Sequence, residues 1–116
     1  MELEVLRGDI VYINLEPSFG HEQGGKSPAL IIQNNIGNKF SPLTIVVPIT
    51  KKIPNKNFPT SVFLSKSISG LNFDSSIDCS QIKAIDKSRI LNKLASISHQ
   101  NMKEIDKALK ISLALN

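Results

Sequence analysis

Hydrophobic and polar positions along the chain predict a run of short strands followed by one helix. Four segments are rich in β-branched and aromatic residues or alternate polar with apolar positions, as strands do. They are residues 8–15, 28–34, 44–50 and 60–65. Pro48 lies within the third of them and indicates an edge strand or a bulge, because proline has no N–H for a strand ladder.

Segments rich in glycine, proline, lysine and asparagine separate these strands and predict turns or loops. They are residues 34–38, 51–59 and 67–74. Residues 75–86 predict one or two further short strands around Ser80 and Gln81, and residues 86–91 predict the start of a short helical turn.

After Ser98, which is of the residue type that caps helices, the hydrophobic period becomes helical. The apolar positions are Met102, Ile105, Ala108, Leu109, Ile111, Leu113 and Leu115. The last two turns are apolar nearly all round, which favours packing against a partner subunit. Five or six short strands and a terminal helix predict a mainly β fold, a bent antiparallel sheet or partly open barrel.

Composition bounds the class of protein. With 116 residues, 41% hydrophobic and 21% charged, the chain is expected to be one folded domain, residues 1–116. Its apolar runs are too short to span a membrane. The acidic N-terminus does not look like a secretory signal, and the single cysteine, Cys79, cannot form an internal disulfide. Both observations favour the cytoplasm.

Positive charge is concentrated in one part of the sequence. The net charge is +4, yet residues 21–66 contain six lysines and only one acidic residue, Glu22. A positive face suits a polyanion such as a nucleic acid. The alternative is a solvated, lysine-rich surface.

The segment between the first two strands carries the densest chemistry. Residues 20–28 combine an imidazole, a carboxylate, an amide, an ammonium and a hydroxyl around the adjacent glycines Gly24 and Gly25. Glycine allows backbone conformations that other residues avoid. We therefore expect a binding or reaction site in this loop.

An ordered set of short motifs resembles the MazF/PemK (Kid) toxins of bacterial toxin–antitoxin systems. They are Arg7-Gly8-Asp9, Gly20-x-Glu22-Gln23-Gly24-Gly25 with Pro28, Ile32-Gln33-Asn34, Pro48-Ile49-Thr50, Gln81-Ile82-Lys83, Ile85-Asp86-Lys87-x-Arg89 and the C-terminal Ile111-Ser112-Leu113-Ala114-Leu115. Each motif is short, but together they cover nearly the whole chain in the family's order.

The resemblance implies a homodimer with an SH3-like, partly open antiparallel barrel of the MazF/CcdB type. It also implies sequence-specific cleavage of single-stranded RNA without a metal or other cofactor. In that reaction the ribose 2′-hydroxyl attacks the adjacent phosphorus and leaves a 2′,3′-cyclic phosphate and a 5′-hydroxyl. An acidic, extended segment of a MazE-like antitoxin is expected to block the RNA groove.

The chain departs from the family at three positions. The family's catalytic arginine is replaced by Ser27, which follows Lys26. His21 stands where the family has serine, and Ser80 stands where it has an acidic residue. Serine cannot make the two parallel hydrogen bonds of a guanidinium. We predict that His21 and Lys26 together take over the arginine's role; the alternative is that His21 is an exposed loop residue.

The resemblance also assigns a role to Thr50, and side-chain chemistry predicts roles for further residues. Thr50 is expected to contact phosphate as a catalytic hydroxyl, or else to be a β-branched strand end. Glu22 is expected to act in catalysis, to orient the loop through backbone N–H groups or to pair with a lysine. The residues predicted to bind RNA are Phe19, Gln23, Gly24, Gly25, Gln33, Asn34, Lys51, Lys52, Lys56 and Gln81.

The RNA-binding residues differ in the alternatives they leave open. The amides suit recognition of splayed base edges, and the lysines suit the phosphate backbone. Phe19 either stacks on a base or plugs the space under the loop. Gly24 and Gly25 either shape the loop or bind phosphate through their N–H groups.

Three functions fit these observations. The first is an active endoribonuclease toxin, and the second is an impaired relative that binds RNA or an antitoxin without cutting, because of Ser27. The third is a gyrase-binding toxin of the CcdB type. That type depends on a tryptophan in its C-terminal tail, and the chain has no tryptophan.

Overall fold

The computed structural model describes residues 3–22, 24–51 and 58–116. These residues form seven short strands, two short helices and a longer C-terminal helix. In chain order the elements are β1 (Asp9–Asn14), β2 (Lys26–Ile31), α1 (Asn35–Phe40), β3 (Leu43–Thr50), β4 (Ser61–Leu64), α2 (Lys66–Ser69), β5 (Ser75–Asp78), β6 (Lys83–Asp86), β7 (Ile90–Ser96) and α3 (His99–Ser112). No helix in these ranges is long and apolar enough to cross a bilayer.

Strand β3 is the centre of the sheet. The strands follow the order β4-β5-β3-β2-β1-β7, and β6 also pairs with β3; every pair is antiparallel. On the edge away from β2, β3 pairs with β6 as far as Val46 and with β5 from Ile49 onward. The expectation that Pro48 marks an edge strand is therefore wrong. It lies where β3 changes partner, and a missing N–H is tolerated there.

The side chains of β1, β2 and β3 feed two hydrophobic cores, one on each face of the sheet. On one face Ile10, Leu30 and Val47 pack with β4, β5 and α3. On the other face Val11 and Ile31 pack with residues of β6 and β7 in the interior of the barrel. Because successive residues of a strand point to opposite faces, these strands are almost uninterrupted apolar runs.

Helix α3 is clamped onto the sheet by both apolar and polar contacts. Ser98 caps it as predicted, its hydroxyl accepting the N–H of Asn101. Ile105 is fully buried against the sheet. The guanidinium of Arg7 donates to Asp106 at 2.6 Å and to the carbonyl of Ile32 at 2.8 Å, so the motif before β1 ties the helix to the end of β2. Towards the C-terminus the apolar side chains of the helix become exposed.

Two elements differ from the sequence prediction. Residues 35–40 form α1 rather than a turn, capped by the side chain of Asn34 and anchored by buried Asn38. Residues 90–96 form β7, a seventh strand where five or six were expected. The predicted helical turn is a 3-10 turn at Lys87–Arg89 that leads directly into this strand. Most of β7 is exposed, so its sequence lacks the alternation of a half-buried strand.

Cys79 belongs to the core between the sheet and α3. Its side chain is fully buried, and burial, together with the neighbouring charge of Asp78, raises the pKa of its thiol to about 12. A thiol with such a pKa is not a nucleophile near neutral pH.

Candidate functional site

Two carboxylates that accept hydrogen bonds from backbone N–H groups shape the loop between β1 and β2. Glu22 Oε1 accepts the N–H of Phe19 at 2.7 Å, and Glu16 Oε1 accepts the N–H of Gly25 at 2.6 Å. A Cβ at Gly24 would lie 2.3 Å from the hydroxyl oxygen of Ser18, so the loop needs glycine there. Gly25 has a φ of +75°, which favours glycine.

Strand β2 begins two residues earlier than predicted. Pairing with β1 includes Ser27 opposite Ile13 and Lys26 opposite Asn14, so both residues are part of the sheet rather than of the loop. This pairing fixes the backbone of Ser27, the position at which the resemblance leads us to expect an arginine. It also places Lys26 at the end of β2 that lies beside the end of β3.

Lys26 and Thr50 line one open groove of about 750 Å³. We call it the Thr50 groove; it is lined by Tyr12, Lys26, Ser27, Pro28, Ile49, Thr50, Lys51, residues 70–73, Asn92 and Leu94. None of these described residues is acidic. The described lining thus contains two lysines and several hydroxyl-bearing residues but no carboxylate, a composition that attracts an anion.

Ser27 also lines this groove, but not with an exposed hydroxyl. Its Oγ is buried, and within the described part of the chain it is the one buried side-chain oxygen or nitrogen without a hydrogen-bond partner. A small, buried hydroxyl thus stands where the resemblance leads us to expect an arginine, and the described cations of the lining are Lys26 and Lys51.

A second, smaller pocket has a volume of about 280 Å³. We call it the Glu22 pocket; it is lined by Ile13, Leu15, Glu22, Val46, Pro48, Ser80, Gln81, Ile82 and Lys83. Pro48 lines this pocket whereas the next residues of β3, Ile49 and Thr50, line the groove. The second oxygen of Glu22 lies 4.0 Å from the ammonium of Lys83. Both expected structural roles of Glu22, loop orientation and lysine pairing, are thus observed.

A hydrogen-bond network fixes the polar residues between β5 and β6. Asp78 accepts hydrogen bonds from the Ser80 hydroxyl at 2.5 Å, from the Ser80 N–H at 3.0 Å and from the Gln81 amide at 3.0 Å. Burial alone would raise the pKa of Asp78, but these hydrogen bonds outweigh it and hold the pKa below its usual value. The carboxylate thereby orients Gln81 beside the Glu22 pocket.

This lowered pKa gives a prediction about acid stability. Because the folded pKa lies below the unfolded one, ionised Asp78 stabilises the fold above the unfolded pKa of about 3.9. The stabilisation is lost as the pH falls through the folded value. Urea denaturation from pH 6 to pH 2 should show the free-energy gap between wild type and Asp78→Asn closing in acid. Parallel curves for the two proteins would contradict the assignment.

The remaining predicted residues lie apart from one another. Phe19 is 74% exposed, so its interpretation as a plug under the loop is wrong. His21 is exposed on the same loop and is not among the residues lining the Thr50 groove. Gln81 lies in the Glu22 pocket. Gln23, Lys52 and Lys56 fall outside the described residues.

Gln33 and Asn34 lie at the opposite end of β2 from Lys26, about 20 Å away along the strand direction. Their side chains hold α1 in place. The Gln33 amide donates to Asn38 and to the carbonyl of Leu43, and Asn34 accepts the N–H of Gly37. The structure therefore does not bring these two amides together with the groove.

Sequence reasoning missed part of the groove's lining. Tyr12, Phe73 and Asn92 all face it. Phe73 lies in a segment predicted only as a turn, and its ring centroid is 4.8 Å from the ammonium of Lys51. The pairing of β3 with β5 brings the segment of Phe73 to the groove, and the pairing of β1 with β7 sets Tyr12 opposite Asn92, so no local pattern identifies these residues.

Comparisons with known proteins agree with this fold. Residues 6–113 match the family model described as PemK-like, MazF-like toxin of type II toxin–antitoxin system. The chain is 45% identical over 111 residues to a Bacillus subtilis (strain 168) protein, Endoribonuclease EndoA, and the match covers 96% of each.

Solved structures give the same result. MazF from Deinococcus radiodurans has a TM-score of 0.83 at 26% identity, with 98% of this chain and 100% of that chain covered. A mycobacterial endoribonuclease in complex with its cognate antitoxin has a TM-score of 0.80 at 24% identity, with 97% of each covered. The expected mainly β, MazF-like fold is confirmed. The chain belongs to the PemK-like, MazF-like toxin family of type II toxin–antitoxin systems.

Proposed function

We propose that this protein is the toxin of a toxin–antitoxin pair and an endoribonuclease that cuts single-stranded RNA without a metal. The observation that carries the proposal is the shared groove of Lys26 and Thr50. Two segments far apart in sequence bring Lys26 and Thr50 to one cleft whose described lining residues include no acidic side chain. That cleft suits a phosphodiester, whose negative charge increases during attack by an internal hydroxyl.

The proposed reaction needs only groups that RNA and protein already contain. A bond forms between the ribose 2′-oxygen and the phosphorus, and the bond from phosphorus to the 5′-oxygen breaks. The 2′-hydroxyl loses its proton, and the departing 5′-oxygen gains one, so the products are a 2′,3′-cyclic phosphate and a 5′-hydroxyl. DNA is spared because it lacks the nucleophile. The hydroxyl of Thr50 and the ammonium of Lys26 would donate hydrogen bonds to the non-bridging oxygens.

Base recognition is assigned to the Glu22 pocket. Its rim carries the amide of Gln81, the hydroxyl of Ser80 and the ammonium of Lys83 beside Glu22. These groups offer both donors and acceptors to the edge of an unstacked base. Successive residues of β3 point to opposite faces of the sheet, so an RNA strand would reach both the pocket and the groove by passing around the end of β3. Phe19, whose ring is exposed, would stack on a neighbouring base.

Family membership and two surface features favour a homodimer and an acidic antitoxin as the protein partners. Ile111, Leu113 and Leu115 at the end of the chain are 55–60% exposed, which favours burial against a second copy in a homodimer. The positive groove suits the acidic segment of a MazE-like antitoxin. The lone, buried cysteine is compatible with a cytoplasmic location, which we include in the proposal.

The experiment that tests the proposal is cleavage in the presence of EDTA. Purified protein is incubated with a long, unstructured RNA, and both new ends are mapped. We expect discrete cuts that leave 5′-hydroxyl ends. RNA that stays intact, with or without magnesium, would instead support the alternative of a family member that binds without cutting.

Two variants in the same assay test the hypothesis that His21 and Lys26 replace the arginine. Lys26→Ala should slow cleavage by about 10-fold or more, since a donor to the phosphate is lost. His21→Ala decides whether the histidine takes part, because it lies outside the lining of the Thr50 groove. A wild-type rate in His21→Ala would remove the histidine from the mechanism, and wild-type rates in both variants would end the hypothesis.

A further inference from the structure

We propose that Lys51, positioned by the ring of Phe73, joins Lys26 in a two-lysine cradle that replaces the family's arginine. The catalytic half of this inference rests on the proposed ribonuclease function. Its binding half concerns only the affinity of the Thr50 groove for a nucleic-acid phosphate.

Strand pairing explains why Lys51 and Phe73 meet. Thr50 pairs with Ser76, and Phe73 precedes that residue by three positions in the turn before β5. The register that fixes Thr50 therefore also brings the ring beside Lys51, the residue that follows β3. The ammonium of Lys51 lies 4.8 Å from the centroid of the ring, within the range of a cation–π contact.

The charges of the cradle are not neutralised by the described residues. The ammonium groups of Lys83 and Lys93 lie 4.0 Å and 3.3 Å from carboxylate oxygens of Glu22 and Asp9, respectively. No described carboxylate lies within 4.0 Å of the ammonium of Lys26 or of Lys51. An aromatic ring restrains an ammonium but leaves its charge and its remaining N–H groups available. Phe73 thus holds Lys51 in the groove without cancelling its attraction for an anion.

Two ammonium groups from different chain segments can donate two hydrogen bonds to one phosphate, which one serine cannot do. The lost arginine would make two parallel hydrogen bonds from one planar group. Lys26 at the start of β2 and Lys51 just after β3 approach the groove from two chain segments and offer two separate donors to one phosphate. Thr50, which also lines the groove, would add a hydroxyl. Ser27, whose Oγ is buried, is not needed for this contact.

The binding half is tested with RNA that carries 2′-fluoro groups in place of its 2′-hydroxyls and cannot be cut. Affinity is measured against salt for wild type, Lys26→Gln, Lys51→Gln and the matched control Lys107→Gln, an exposed lysine on α3. Loss of one phosphate contact should make the slope of log affinity against log salt less steep by about 0.7. We expect that change for Lys26→Gln and Lys51→Gln but not for the control. Unchanged slopes in both groove variants would overturn the cradle.

The catalytic half is tested by single-turnover cleavage. Lys51→Gln should slow the chemical step by about 100-fold, the scale of losing one group that stabilises developing charge. Phe73→Leu should slow it about two- to fivefold, and Phe73→Tyr should restore the rate because a phenol ring keeps the contact. Equal rates in Phe73→Leu and Phe73→Tyr would overturn the positioning role of the ring. If wild type cuts nothing while the salt slopes change as expected, the ribonuclease function fails and the phosphate cradle stands.

Discussion

Replacing Thr50 by valine should lower the rate of RNA cleavage by about 100-fold while leaving the fold intact. Valine keeps the β-branched shape that suits the end of β3 and removes only the hydroxyl. A donor aimed at the charge that develops on the phosphorane contributes a factor of about 10² to 10³. The measurement is single-turnover cleavage of a mapped RNA site, with thermal unfolding followed in parallel.

Thr50→Ser is the matched control for this prediction, because it keeps the hydroxyl and removes a methyl group. We expect it to retain most of the activity. Similar losses in the serine and valine variants would show that side-chain shape at this position matters and that the hydroxyl does not. A valine variant as active as wild type would remove Thr50 from the reaction.

Replacing Ile105 by alanine should destabilise the protein by about 2–5 kcal/mol, through lost burial and the cavity that remains. Ile105 is fully buried where α3 packs on the sheet, in the same core as Val47 and Ile49 of β3. Total stabilities of domains are about 5–15 kcal/mol, so this one change removes a large share. Urea unfolding of the pure protein measures it.

Ile68→Ala provides the control, since Ile68 is 45% exposed on α2 and should cost far less. The expected effect of Ile105→Ala also extends to activity at raised temperature, because β3 supports Thr50. Equal free energies of unfolding for the two variants would contradict the role assigned to the core beneath α3.

The sequence predicts most of the fold because its strongest patterns are local. β1, β3, β4 and α3 follow from hydrophobic period and turn residues, and Ser98 caps α3 as expected. α1 escapes prediction because its stability does not come from helix propensity. It contains Gly37, and buried Asn38 accepts a hydrogen bond from the Thr44 hydroxyl at 2.7 Å. Such tertiary support is invisible in a local window.

The site could be predicted only in part for a similar reason. The loop with Glu22 and the hydroxyl of Thr50 follow from motifs that resemble a known family. The division of the predicted residues between a groove, a pocket and the far end of β2 depends on strand register. Neither the burial of the Ser27 hydroxyl nor the contact between Lys51 and Phe73 leaves a trace in the sequence, since each depends on long-range pairing.

The most direct test of the account is a crystal structure of the protein with an uncleavable 2′-fluoro RNA that spans a mapped cut site. We predict that the scissile phosphate lies in the Thr50 groove, within hydrogen-bond distance of the hydroxyl of Thr50 and of an ammonium from Lys26 or Lys51. An RNA backbone that passes elsewhere, with the groove empty at that phosphate, would contradict it.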